Sequence, residues 1–194
     1  MNPDLFYFLP ERTKFLPYTI ASWNQINRQP YQSPGKTIKI AHAPTNRAAK
    51  GSAYILAALE KLQKTYPGRI EILLVEGLSH AQALQKYQSA DLVIDQLLIG
   101  WYGALAVEVI KMGKPVMVFI REEDLTFIPS KMAEDCVNAF ILADRTNIFE
   151  KLCDIVEKPD SLSEICQRSY SYICDWHDPL AIAKSTLIIY EKLL

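Results

Sequence analysis

From Thr37 onward the chain alternates between short apolar runs and longer stretches whose apolar residues recur at helical spacing. That alternation constrains the fold more than any other feature. The first run, Ile38-Lys39-Ile40-Ala41, leads through a polar loop to residues 53–62, where Ile55, Leu56, Leu59 and Leu62 share one helical face. Pro67-Gly68 ends this helix, and a second strand is predicted over 70–75. Ser79 reads as the N-cap of a helix reaching about residue 89. Leu92-Val93-Ile94 makes a third strand, and residues 104–112 a helix closed by Gly113-Lys114-Pro115. A fourth strand follows over 116–120 and a short fifth over 140–142, with closing helices near 146–157, 160–175 and 179–193. Strands that alternate with helices through short loops imply a parallel sheet covered on both faces, a three-layer α/β/α arrangement. Such sheets bind ligands at the carboxyl ends of their strands, near the point where strand order reverses. The loops after Ala41, Val75 and Ile94 are therefore where a site is expected.

The first 35 residues differ in character. Pro3, Pro10, Pro17, Pro30 and Pro34 exclude a long helix and predict short extended pieces joined by turns. Residues 24–35 read as a linker, and a second unit is expected over 36–194. A chain of 194 residues, 49% hydrophobic and 22% charged, accommodates one domain with a substantial core. A formal net charge of -1 offers no surplus to neutralise a nucleic-acid backbone, although it permits a local pocket for one diphosphate. The N-terminus is too charged and proline-rich for a signal peptide, and no stretch has the roughly 18 apolar residues of a membrane span. Cys136, Cys153, Cys166 and Cys174 form no CxxC and have no histidine cluster beside them. They read as reduced, partly buried thiols rather than a zinc site, so a cytoplasmic location is expected, with work at a membrane surface left open.

Two loops carry residues suited to chemistry. The first reads His42-Ala-Pro-Thr-Asn46-Arg47-Ala-Ala-Lys50-Gly51, and brings cationic side chains to a helix start, where free backbone N–H groups favour a phosphate. It lacks the GxxxxGK[ST] spacing of a P-loop, and a solvated basic loop is the competing reading. The other runs from Asp95 to Glu108, with Gly100 and Gly103 flanking Trp101 and Tyr102 just before a helix. Its glycines permit close backbone approach to a ligand, and the first helical turn offers unpaired N–H donors. Glu108 lies about one turn into that helix among apolar neighbours, where a carboxylate needs a partner. Ribose hydroxyls would serve; so would a nearby Lys or Arg.

The stretches HAPTNRAAKGSAYILAALEKL, LLVEGLSHAQALQKYQSADLVIDQ and GWYGALAVEVIKMGKPV, in that order, resemble a known domain. It is the C-terminal, donor-binding domain of retaining GT-B glycosyltransferases of the "glycosyl transferases group 1" family. The likeness extends over roughly 36–193 and includes Trp176-His177-Asp178-Pro179 before the last helix. It implies a Rossmann-like half of a GT-B fold that binds a nucleotide diphosphate sugar of UDP or GDP type. By this resemblance Lys50 contacts the donor diphosphate with Arg47 as helper, and the backbone of Gly103, Ala104 and Leu105 donates to the phosphates. Glu108 matches the glutamate that binds ribose, and Gly77, Leu78 and His80 match the loop lining the base. His42 reads equally well as a satisfied strand-end histidine.

Two departures from the family pattern stand out. The family has two glutamates separated by seven residues, and counting back from Glu108 the first falls on Gly100. The resemblance also implies an acceptor-binding N-terminal domain, of which residues 2–20 resemble only the last strand and the crossing into the C-terminal domain, so that domain is expected to lie outside this chain. Residues 1–35 are therefore expected to be a remnant and linker, and the helix at 179–193 to brace an absent domain. That uncovered face would suit an acceptor-domain polypeptide or self-association.

The implied reaction transfers a sugar from the donor to an acceptor hydroxyl with retention, as in polysaccharide synthesis. Lys50 and the helix start would stabilise the departing diphosphate, so no metal or other cofactor is expected. No general base can be named from this chain. A non-catalytic nucleotide-sugar-binding module or partner subunit, and a sugar-nucleotide epimerase, are the alternatives.

Overall fold

The structure is a computed structural model and describes residues 2–191. Five strands, β1 (Ile38–His42), β2 (Ile70–Leu74), β3 (Leu92–Ile94), β4 (Val116–Val118) and β5 (Ile141–Leu142), form one sheet. Their order is β2-β1-β3-β4-β5 and every neighbouring pair is parallel. The helices are α1 (Arg47–Lys50), α2 (Ser52–Thr65), α3 (His80–Ser89), α4 (Ala104–Lys111), α5 (Ser130–Ala139), α6 (Ile148–Glu157), α7 (Ser161–Trp176) and α8 (Pro179–Glu191). The expected three-layer α/β/α architecture is therefore present.

Side-chain alternation along the strands splits the core in two. Ile38, Ile40, Leu92, Ile94 and Met117 point to one face, where they meet Ile55, Leu59 and Leu62 of α2 and Leu152 and Ile155 of α6. Ala41, Val93, Val116 and Val118 point to the other, against residues of α3, α4, α5 and α7. Strands buried on both faces read as continuous apolar runs, which is why they were legible. The chain moves outward from β1 to β2, then crosses back to β3 on the other side of β1. The loops after β1 and β3 thus part at the switch point, which opens a crevice at the carboxyl ends of these strands.

Three local features depart from expectation. The fourth strand stops at Val118, short of the predicted 120, and a 3-10 turn, Glu122–Phe127, follows. The helix α5 was not anticipated; only Met132, Cys136 and Ala139 are buried on it, a narrow stripe among polar residues. The loop after β1 contains the single turn α1, capped by the Asn46 side chain, which accepts from the Ala49 N–H at 3.0 Å. Gly51 ends that turn at φ 73°, and an added Cβ would lie 3.0 Å from Leu98 Cγ, so any other residue there would be strained.

The N-terminal segment lies over the same body. A 3-10 turn, Pro3–Phe8, sets Phe6 and Tyr7 against Phe127, with ring centroids 5.4 and 5.0 Å apart. Farther on, residues 15–29 form a strap that buries Ile20, Trp23 and Ile26 in the cluster containing Val107 and Ile110 of α4. Each such side chain contributes roughly 1.5–3 kcal/mol through removal from water. The Gln29 N–H donates to the Met112 carbonyl at 3.0 Å and ties down the end of the strap. On α8, by contrast, Leu180, Leu187 and Ile188 are exposed. Positions 192–193 of the predicted last helix lie outside the described residues. Among the described residues no helix is long and apolar enough to cross a membrane.

Candidate functional site

At the switch point the end of β1 is closed by His42, which is fully buried. Its Nδ1 is 2.9 Å from the Ile94 carbonyl and its Nε2 is 2.8 Å from Ser52 Oγ. A carbonyl only accepts, so Nδ1 carries the hydrogen and Nε2 accepts from Ser52. Burial lowers the His42 pKa and keeps the ring neutral. His42 is the satisfied strand-end histidine, tying β1 to β3 and to the first turn of α2.

The next residues across the crevice form a charged group. Asp95, immediately after β3, is buried and accepts from Lys50 Nζ through one carboxylate oxygen. Its other oxygen accepts from the Gly103 N–H at 2.9 Å. Gln96 folds the intervening loop around its side chain. It donates to the Trp101 and Phe119 carbonyls at 3.0 and 2.7 Å, and accepts from the Leu98 and Ile99 N–H groups at 2.8 and 2.7 Å. Trp101 and Tyr102 are buried in the core, so neither lines the crevice. Gly103 has φ -100°, open to any residue, and an added Cβ would sit 3.7 Å from Asp95 Oδ2 and 3.9 Å from Lys50 Nζ. The fold itself does not demand glycine at this position. Ala104 and Leu105 follow as the first residues of α4, and their N–H groups have no acceptor within the helix.

One turn along α4, Glu108 heads a second group. Its Oε1 accepts from Ser22 Oγ at 2.6 Å and is 2.9 Å from His80 Nε2. His80 opens α3, whose start is fixed by a capping box between Ser79 and Gln82. Among the described residues neither a lysine nor an arginine pairs with Glu108; a hydroxyl and an imidazole do. Before that helix, Gly77 holds φ 66° with open space around it, and Leu78 is exposed. Arg47 is engaged elsewhere. Its guanidinium forms a fork on Glu76, at 2.7 Å from Nε and 2.6 Å from one terminal nitrogen, on an exposed surface. The hydrogen bond from Arg47 lowers the Glu76 pKa.

Lys50, Gly103, Ala104, Leu105, Glu108 and His80 thus gather around the start of α4, while Arg47 pairs with the loop after β2. Ser22, Asp95 and Gln96 belong to the arrangement too, and no role was expected for them. The sequence carried one signal for the last two: adjacent polar residues directly after a buried strand and before a glycine-containing loop. Ser22 carried none.

Gly100 is more than a missing carboxylate. It holds φ 90°, and an added Cβ would lie 3.1 Å from the Arg121 guanidinium carbon. Arg121 in turn pairs with buried Asp124 at 3.2 Å. A side chain at position 100 meets both strained backbone and an occupied space. Among the described residues no three His, Cys, Asp or Glu side chains gather as metal ligands.

No protein-family model matches the chain, and no curated protein matches it in sequence. Solved structures do match in fold. The pneumococcal O-GlcNAc transferase GtfA, in complex with UDP and GlcNAc, has TM-score 0.56 at 16% identity, over 92% of this chain and 38% of that one. Sucrose-phosphate synthase from Thermosynechococcus elongatus has TM-score 0.57 at 16% identity, over 100% of this chain and 51% of that one. The chain has the Rossmann-like fold of a GT-B half. UDP-GlcNAc 2-epimerase from Neisseria meningitidis, bound to UDP-GlcNAc, has the same GT-B architecture, with TM-score 0.50 at 16% identity over 82% of this chain and 44% of that one. The chain therefore spans between 38% and 51% of these three proteins. At such identity the likeness concerns the fold alone.

Proposed function

We propose that this chain is the donor-binding half of a glycosyltransferase, with a nucleotide diphosphate sugar seated in the crevice between β1 and β3. The observation that carries this reading is the convergence of Lys50 Nζ and the Gly103 N–H on one carboxylate, that of Asp95, at the switch point. The Gly103 N–H is spent on Asp95, but the Lys50 ammonium keeps further N–H groups beyond the one it gives to that carboxylate, and with the N–H groups of Ala104 and Leu105 they form a seat for a diphosphate. Glu108 then receives the ribose, and the loop at Gly77, Leu78 and His80 lines the base. Arg47 joins only by leaving Glu76.

In the reaction the bond between the anomeric carbon and the diphosphate oxygen breaks, and the acceptor oxygen takes its place with retention. Negative charge collects on the leaving diphosphate. Lys50 and the start of α4 stabilise it in a partly dry crevice, where such interactions are strongest. Because these groups act through charge and dipole, binding is expected without added metal. The acceptor, and the group that receives its proton, belong to an acceptor-binding half, supplied by another polypeptide or a longer chain. The exposed apolar side chains of α8 are its docking face in this reading. UDP and GDP donors of hexosyl type both suit the site, and a cytoplasmic enzyme of polysaccharide synthesis working beside a membrane suits the family resemblance.

Two of the matched proteins have UDP or a UDP-sugar bound, which supports the choice of ligand class. Calorimetric titration with UDP, GDP and their sugars, without metal, tests the reading. Saturable binding of one nucleotide, lost in Lys50→Ala, is expected; binding that survives Lys50→Ala in a folded protein overturns it.

A second reading has its own observation. At position 100 the family's sugar-proximal glutamate would meet a left-handed backbone and the Arg121 side chain at 3.1 Å. A nucleotide-sugar-binding module without transferase activity is the result if no acceptor half restores transfer.

A further inference from the structure

The strap reaches the proposed donor crevice through the hydroxyl of Ser22. Its hydroxyl donates to Glu108 Oε1 at 2.6 Å, the same oxygen that His80 Nε2 approaches to 2.9 Å. Two donors therefore converge on one oxygen of the carboxylate. The other oxygen, Oε2, has no hydrogen-bond partner among the described residues. A carboxylate pinned in this way presents its free oxygen in a fixed direction.

Ser22 cannot easily withdraw. On either side of it Ile20, Trp23 and Ile26 are buried, and the Lys111 ammonium lies 4.2 Å from the centre of the Trp23 ring. Four residues earlier, the Tyr18 hydroxyl donates to the Tyr102 carbonyl at 3.3 Å, and the Tyr18 carbonyl accepts from His177 Nδ1 at 2.6 Å. Ser22 itself is buried. The strap thus behaves as part of the wall and not as a cover that swings off the site. A hydroxyl that competed with ribose for Glu108 would need a mobile mount, and this mount is anchored in the core on both sides.

We propose that Ser22 is a positioning residue for ribose recognition, holding Glu108 by Oε1 so that Oε2 accepts from a ribose hydroxyl. The inference rests on the donor-site reading above and extends it to a segment that reads, by sequence, as remnant and linker. It also makes the strap a component of the donor site, so that seating of residues 15–29 and nucleotide affinity are linked.

The test compares UDP with 2′,3′-dideoxy-UDP, and GDP with its dideoxy analogue, in the full chain and in Ser22→Ala, Ser22→Thr and Glu108→Ala, with circular dichroism as the check on folding. The wild type is expected to prefer the ribonucleotide by about tenfold or more, and Glu108→Ala to abolish that preference. Ser22→Ala is expected to shrink the preference at least threefold while leaving dideoxynucleotide affinity within about twofold, and Ser22→Thr to restore it. Equal weakening of both ligands in Ser22→Ala means a structural role only, and overturns the inference. Tighter ribonucleotide binding in Ser22→Ala means competition, and overturns it as well. A Glu108-dependent preference that ignores Ser22 defeats the inference alone. No binding of either nucleotide by the wild type, or a preference indifferent to Glu108, defeats the donor-site reading and the inference with it.

Discussion

Two polar networks meet at the first turn of α4, and they are built on opposite terms. The crevice network, Lys50–Asp95–Gly103 with Ser22–Glu108–His80, keeps spare capacity: one carboxylate oxygen of Glu108 and the N–H groups of Ala104 and Leu105 have no partner among the described residues. The network behind it is closed. His177 Nδ1 donates to the Tyr18 carbonyl, so its Nε2 accepts from the Tyr102 hydroxyl at 2.8 Å, and that oxygen in turn accepts from Tyr172 at 2.6 Å. Tyr102, Tyr172 and His177 are all buried. Buried groups that satisfy one another hold a single geometry, whereas half-satisfied groups at a crevice are arranged for something still to arrive. Tyr102 of the closed network is the chain neighbour of Gly103 in the open one, so the closed network serves as the mount of the open one.

The sharpest way to break the comparison is His177→Ala. It removes two hydrogen bonds and a buried ring, and is expected to cost about 4 kcal/mol of stability in urea unfolding. Nucleotide affinity of the molecules that remain folded should change little. A large loss of affinity at unchanged stability would mean that the closed network is itself part of the site.

Acid titrates the same contrast. Burial depresses the His177 pKa to about 4, and the unfolded chain holds that histidine near its ordinary value of 6.5. Between these values the unfolded state binds a proton that the folded state refuses, so stability is full above pH 6.5 and declines as the pH falls toward 4. The loss contributed by His177 should approach about 3 kcal/mol. His42, depressed by its own burial, adds loss of the same sign. Urea midpoints measured from pH 7 to pH 4 check this, and the decline should be shallower in His177→Gln.

On the crevice side, Lys50→Ala should weaken nucleotide binding about a hundredfold, equivalent to about 2.7 kcal/mol. It also leaves the buried Asp95 carboxylate with the Gly103 N–H as its partner, so a fall in urea midpoint should accompany it. Lys50→Ala/Asp95→Asn should recover the midpoint without recovering the binding. The smallest effect is expected from Arg47→Ala. Its exposed fork on Glu76 should leave the urea midpoint unchanged, and nucleotide affinity should move by less than about threefold by calorimetry.

Much of this was legible in the chain. Short apolar runs between helical-period stretches announced the parallel sheet, because strands buried on both faces have no polar alternation to disguise them. Lys50 and Glu108 were legible through their loops and through resemblance. The helix α5 was missed because only Met132, Cys136 and Ala139 turn inward, too narrow a stripe to stand out from Lys131, Glu134 and Asp135. Arg47 reads as a helper at the diphosphate, and nothing local reveals its pairing with Glu76, 29 residues away.

By itself the sequence determined the layers, the location of the crevice and the residue types around it, since periodicity and loop chemistry are local properties. Only the tertiary structure decided which charges are already paired. It brought Asp95 to Lys50 across 45 residues and Ser22 to Glu108 across 86. A buried carboxylate takes whichever donor the packed chain sets beside it, and that choice is made in three dimensions.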